Sequence, residues 1–129
     1  MNKISFVTGA VTIAIFCFSC GIKKAESKKF SIVGTWRYFS NSGNNGVKSY
    51  IDTVPNTINQ YLIFYEKGEL KGDYLPNGFY RLKRDTLIIK TTQNAILKYR
   101  CTFNENTLYI SPAMICDEGC PIEKFMKQN

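Results

Sequence analysis

Cys101, Cys116 and Cys120, the carboxylate pairs Glu66/Glu69 and Asp117/Glu118, the patch Gly43-Asn44-Asn45-Gly46 and eight tyrosines are the groups with which this chain could do chemistry. Histidine is absent, which removes the commonest general base and every Ser-His or Cys-His nucleophile pairing. Each carboxylate pair falls at a predicted turn, where charged side chains are ordinarily solvated rather than forced to share a proton. The Gly-Asn patch is followed by neither a helix nor a Lys-Ser/Thr ending, so it cannot cradle a phosphate as a P-loop does. Three thiols with no histidine, in a spacing foreign to structural zinc sites, leave no metal centre to expect. No cofactor is implied either. The sequence reads as that of a non-enzyme.

The leader fixes the compartment expected for these thiols. Met1-Asn2-Lys3 gives a short positive start, and Ile4 to Ser19 follows without a charge. That run is shorter than the roughly 20 residues a membrane-spanning helix needs, and it fits a secretory signal peptide over 1–19. Phe16-Cys17-Phe18-Ser19-Cys20-Gly21 resembles a bacterial lipobox, with small Ser19 ahead of the cysteine to be acylated. The resemblance implies cleavage before Cys20, a lipid on Cys20 and attachment to a membrane. Residues 20–29 then form a tether, in which Lys23, Lys24, Lys28 and Lys29 outweigh Glu26. In an oxidising envelope one pair can form among the remaining three cysteines. Cys116-Asp117-Glu118-Gly119-Cys120 closes a small loop with a glycine to turn it and is the preferred pair; Cys101 with either partner is the competitor.

Charge supports the same reading. The chain carries 17 basic and 10 acidic side chains, a net +7. Lys3 leaves with the leader and the tether holds +3 (4 − 1), so residues 30–129 keep 12 basic and 9 acidic groups. A nucleic-acid groove needs its charge gathered on the folded body, and a tether excess does not provide that. No nucleic-acid partner is therefore expected.

The elements that must position these groups are strands. Residues 30–129 form one domain, rich in aromatic and β-branched residues. Ile32 to Phe39 opens it, and Ser40 to Gly46 reads as loop. Short strands are expected at 47–53, 60–66, 69–74, 79–83, 86–91, 96–103, 107–111 and 122–127. The segment 60–66 is apolar on both alternating faces, as a strand covered on both sides would be. Ile96 to Phe103 has the cleanest period of two: Leu97, Tyr99, Cys101 and Phe103 share one face, and Lys98, Arg100 and Thr102 the other. Turn chemistry separates the strands, most clearly at Pro76-Asn77-Gly78. Tyr61, Ile63, Leu97, Tyr99 and Phe103 are the candidate inward, ligand-lining residues. Tyr80 and Tyr109 are expected to face out. The fold class is all-β, an antiparallel meander of about eight short strands closed into a small barrel.

Ile32-Val33-Gly34-Thr35-Trp36 and the strand-turn Phe64-Tyr65-Glu66-Lys67-Gly68 resemble the lipocalin-like domains of small bacterial lipoproteins, particularly those of Bacteroidota. Gly34-x-Trp36 matches the Gly-x-Trp of that family, where both residues close the barrel floor. The resemblance implies a basic residue of the last strand, Lys124 or Lys127, packed over the tryptophan as a cation–π partner. It implies a small hydrophobic ligand as the bound molecule. Gly21-Ile22-Lys23-Lys24 lacks the acidic run of surface-exported relatives, which points to the periplasmic face of the outer membrane. The alternative reading is an envelope interaction module with a solid core, whose partner is another envelope protein.

Overall fold

The computed structural model describes residues 29–117 and 119–129. The expected signal peptide, the expected lipidation site Cys20 and all of the expected tether except Lys29 lie outside them. Nine strands follow in order: β1 (Gly34–Asn44), β2 (Ser49–Thr53), β3 (Tyr61–Phe64), β4 (Glu69–Gly72), β5 (Gly78–Lys83), β6 (Thr86–Thr91), β7 (Ile96–Phe103), β8 (Thr107–Pro112) and β9 (Ile122–Lys127). Every pairing is antiparallel, each strand from β3 onward pairs with the next, and β9 returns to β1. Eight strands thus close a barrel, and closure removes the open edges that invite aggregation. β2 lies outside that ring.

β1 makes this arrangement possible by being long. Along one edge Gly34 to Arg37 pair with β3, and Ser40 to Asn44 pair with β2. Along its other edge Trp36 to Ser42 pair with β9. The expected loop at 40–46 is accordingly corrected: it is strand as far as Asn44. Asparagine and glycine favour turns locally, but ladder bonds on both edges satisfy this backbone and override that preference. The strand is not regular. Phe39 is a bulge, because Tyr38 opposes Phe125 whereas Ser40 opposes Lys124. The extra residue flips the alternation, so that Asn41, not Ser40, comes opposite Glu123.

The core is filled by inward side chains of alternating positions. Trp36, Leu62, Leu70, Leu87, Leu108 and Phe125 have no exposed surface. On β7 the expected inward face holds: Cys101 is buried, and Leu97, Tyr99 and Phe103 pack against the core. On β3 it does not. Leu62 and Phe64 point in, while Tyr61 and Ile63 occupy the outer, half-exposed face, so the inward assignment of these two is overturned. Four consecutive apolar residues carry no period, and the register Trp36↔Leu62 decides the parity. Tyr80 is also corrected. It faces inward, edge-on to Phe64 at 4.9 Å, and its hydroxyl donates to the Tyr65 carbonyl at 2.9 Å. Tyr109 is 37% exposed on the outer face, as expected.

Candidate functional site

At one end of the barrel Trp36 plugs the interior. Its indole Nε1 donates to the Ile32 carbonyl at 2.7 Å, which pairs the one polar atom the ring buries. Lys127, from β9, lays its Nζ 5.1 Å from the centre of the indole ring. Its stem crosses Gly34, where a Cβ would meet Lys127 Cε at 3.0 Å, and Gly34 has φ +135°. Lys124 points elsewhere, with its Nζ 5.3 Å from the Phe39 ring on the outside. Of the two lysines, only Lys127 stands over the tryptophan. Lys127→Met keeps the stem and removes the charge, so it should cost about 0.5–1 kcal/mol in urea unfolding, with the exposed Lys48→Met near zero.

The opposite end holds a polar cluster that the sequence did not single out. Glu123 on β9 accepts from the Tyr38 hydroxyl at 2.5 Å through Oε2 and from Asn41 Nδ2 at 3.0 Å through Oε1. Tyr74 stacks on Tyr38 with ring centres 4.6 Å apart, and both rings rest on Phe125. Asn41 Oδ1 is buried with no hydrogen-bond partner. Among the described residues, Glu123 makes no ion pair. The carboxylate is therefore held by neutral donors inside the barrel mouth.

Burial pushes the Tyr38 hydroxyl up to about 12, and the hydrogen bond and negative charge of Glu123 add to that rise. Tyr74 is raised by burial first and by the same carboxylate second. An unfolded tyrosine ionises near pH 10, so Tyr38's contribution is complete below that value and is lost as pH rises through about 12. Glu123→Gln removes the charge. Its near-ultraviolet phenolate titration should show the late-ionising tyrosines released at lower pH than in the parent chain; superimposable curves would discount the coupling.

Beside this cluster lies a cleft of about 240 Å³. Tyr74, Leu75, Tyr99, Ile110, Pro112 and Pro121 form its mainly apolar walls, and Glu123 stands in its lining. Of the candidate ligand-lining residues, the structure brings only Tyr99 to this opening. Leu97 and Phe103 pack on the core, and Tyr61 and Ile63 lie on the outer face. A wider groove of about 500 Å³ runs over the outside, between the start of β1 and the β3–β4 turn, with Ile63 in its lining.

Cys116 and Cys120 form a disulfide, and Cys101 is a free, buried thiol. Burial pushes that thiol up to about 12, so its reactive thiolate is suppressed. Among the described residues no three His, Cys, Asp or Glu side chains gather to hold a metal. Glu69 is paired with Lys71 at 3.1 Å rather than with Glu66, and Asp117 is exposed. No signal short of the three-dimensional register could have assembled Tyr38, Asn41, Tyr74 and Glu123, which come from segments up to 85 residues apart. Set against known proteins, the chain matches no family model, no curated protein and no solved structure.

Proposed function

We propose that this chain is a lipid-anchored envelope protein, held through Cys20 on the periplasmic face of the outer membrane, whose barrel mouth binds a small hydrophobic molecule. The observation that carries the binding half is the cleft beside Glu123, apolar on its walls and polar where the carboxylate stands. Its volume of about 240 Å³ suits a ligand smaller than the drug-sized molecules that fill typical pockets. Because the barrel below is packed with side chains, the ligand sits at the mouth rather than deep inside, in keeping with what an eight-stranded barrel can enclose. The lipocalin-like Gly34-Thr35-Trp36 motif supports the same reading. No step of it calls for catalysis.

Titration of the full chain with N-phenylnaphthylamine, a neutral fluorescent hydrophobe, tests the site. Binding should saturate, and Pro112→Trp, which fills the cleft, should weaken it at least about tenfold, the worth of a lost apolar contact of this size. Binding that never saturates, or that Pro112→Trp leaves unchanged, would sink the ligand reading. The anchor is separable: metabolic palmitate labelling should vanish in Cys20→Ser.

One observation favours the second reading, an interaction module. Ile51 and Ile122 flank Ser42 from both sides on the outer face and are 77% and 43% exposed. Met114 and Ile115 border a cleft shared with Ile122 and are 70% and 97% exposed. Large exposed apolar side chains grouped in this way are what an envelope protein partner would cover.

A further inference from the structure

The residue pairings gather charge that the sequence scatters. On β5 the outward positions are Phe79, Arg81 and Lys83, and on β6 they are Lys90, Ile88 and Thr86. On β7 they are Ile96, Lys98 and Arg100. Register aligns them into rows: Phe79↔Lys90↔Ile96, Arg81↔Ile88↔Lys98 and Lys83↔Thr86↔Arg100. Five of these nine positions are cationic and none is acidic. At ordinary strand spacing the array measures roughly 10 Å by 13 Å.

All five cations are exposed, and among the described residues none of them makes an ion pair. Residues 30–129 carry 12 − 9 = +3, so removing these five leaves 3 − 5 = −2 for everything else on the body. The charge is thus concentrated on one wall. At one end of it Phe79 and Ile96 stand 64% and 56% exposed on either side of Lys90. At the other end a cleft of about 490 Å³ is lined by Lys83, Arg84, Lys98, Thr86 and Ile88, with Asp85 as its one acidic member.

We infer that the outward wall of β5, β6 and β7 docks on the headgroups of an anionic phospholipid bilayer. Charge complementarity selects an anionic partner, because a like-charged or neutral one would leave five bare cations facing it. The apolar pair selects a bilayer. A phenylalanine and an isoleucine beside a cation can enter the boundary between headgroups and acyl chains while the cations stay with the phosphates. A single-stranded nucleic acid would need a groove and several aromatic faces for stacking; this wall is the convex outside of a barrel with Phe79 as its one aromatic outward residue. The contact is independent of the Cys20 anchor.

Lysine acetylation footprinting of the full chain tests this without requiring any variant to fold. On vesicles of phosphatidylcholine and phosphatidylglycerol in equal parts, at about 0.1 M salt, Lys83, Lys90 and Lys98 should react several-fold more slowly than in solution. Lys48, in the β1–β2 turn, and Lys124, on β9, belong to parts of the sheet that pair with none of these three strands; they should react at unchanged rates, and phosphatidylcholine alone should protect none of the five. A Lys98→Glu/Arg100→Glu chain should lose the protection at Lys83 and Lys90, and its partitioning into the anionic vesicles should fall at least about tenfold. Uniform reactivity on the anionic vesicles, or protection centred on Lys48 and Lys124, overturns the inference. So does protection of the same three lysines by a single-stranded DNA oligonucleotide at lower concentration than by lipid.

Discussion

Trp36→Ala should destabilise the barrel by about 3–5 kcal/mol, the range for deleting a large aromatic side chain from a closed core. Trp36 has no exposed surface and is the largest of the fully buried side chains. Its removal leaves a void between β1 and β3 that these paired strands cannot close by moving together. It also deprives the Ile32 carbonyl of its indole donor and Lys127 of the ring beneath it. A domain of this size holds about 5–15 kcal/mol in all, so the variant should unfold at much lower urea, followed by far-ultraviolet circular dichroism since the tryptophan signal is gone. Trp36→Phe refills most of the space and loses the hydrogen bond and part of the cation–π contact, so it should cost less than half as much. Val47→Ala, at 90% exposure, should stay within about 0.5 kcal/mol of the parent. A Trp36→Ala loss below that of Trp36→Phe would mean the indole does not plug the floor.

The contrast between what the sequence disclosed and what it hid has a physical cause. Strand positions were legible because local signals agree with the fold. The period of two over 96–103 and the turns at Arg84-Asp85 and Asn104 to Asn106 report on the chain within a few residues of themselves, whereas Gly78, read as turn, is the first residue of β5. Parity on β3 was illegible, since Tyr61-Leu62-Ile63-Phe64 offers hydrophobic residues to both faces and only the ladder to β1 chooses. The second half of β1 was illegible for a related reason: β2 and β9 supply its hydrogen-bond partners, and nothing in Ser-Asn-Ser-Gly-Asn announces them. The mouth cluster needs the Phe39 bulge as well, without which Asn41 would not oppose Glu123. Likewise, Arg81 and Lys98 become neighbours in one row only through Ile88 between them.

Gly72→Ala should be the second severe substitution, costing about 2–4 kcal/mol from backbone strain and a weakened ladder together. Gly72 has φ +148°, a conformation L side chains rarely adopt, and a Cβ there would lie 2.1 Å from the Tyr61 carbonyl oxygen. That oxygen cannot step aside: it accepts from the Asp73 amide at 3.0 Å, and the two strands are fixed by Leu62↔Gly72 and Ile63↔Lys71. Gly72's own amide donates to Asn77 Oδ1 at 3.0 Å, so moving the backbone outward also loosens the β4–β5 turn. Gly68→Ala is the informative control. Gly68 has φ +87° but a Cβ there meets the Tyr80 carbonyl oxygen only at 3.4 Å, an ordinary contact. Its substitution carries strain without collision and should cost about 1 kcal/mol. Urea midpoints for the two variants separate the terms. Equal losses would mean that positive φ accounts for both, and that β3 and β4 have room to part; a much larger loss at Gly72 locates the constraint in the close approach of the two backbones.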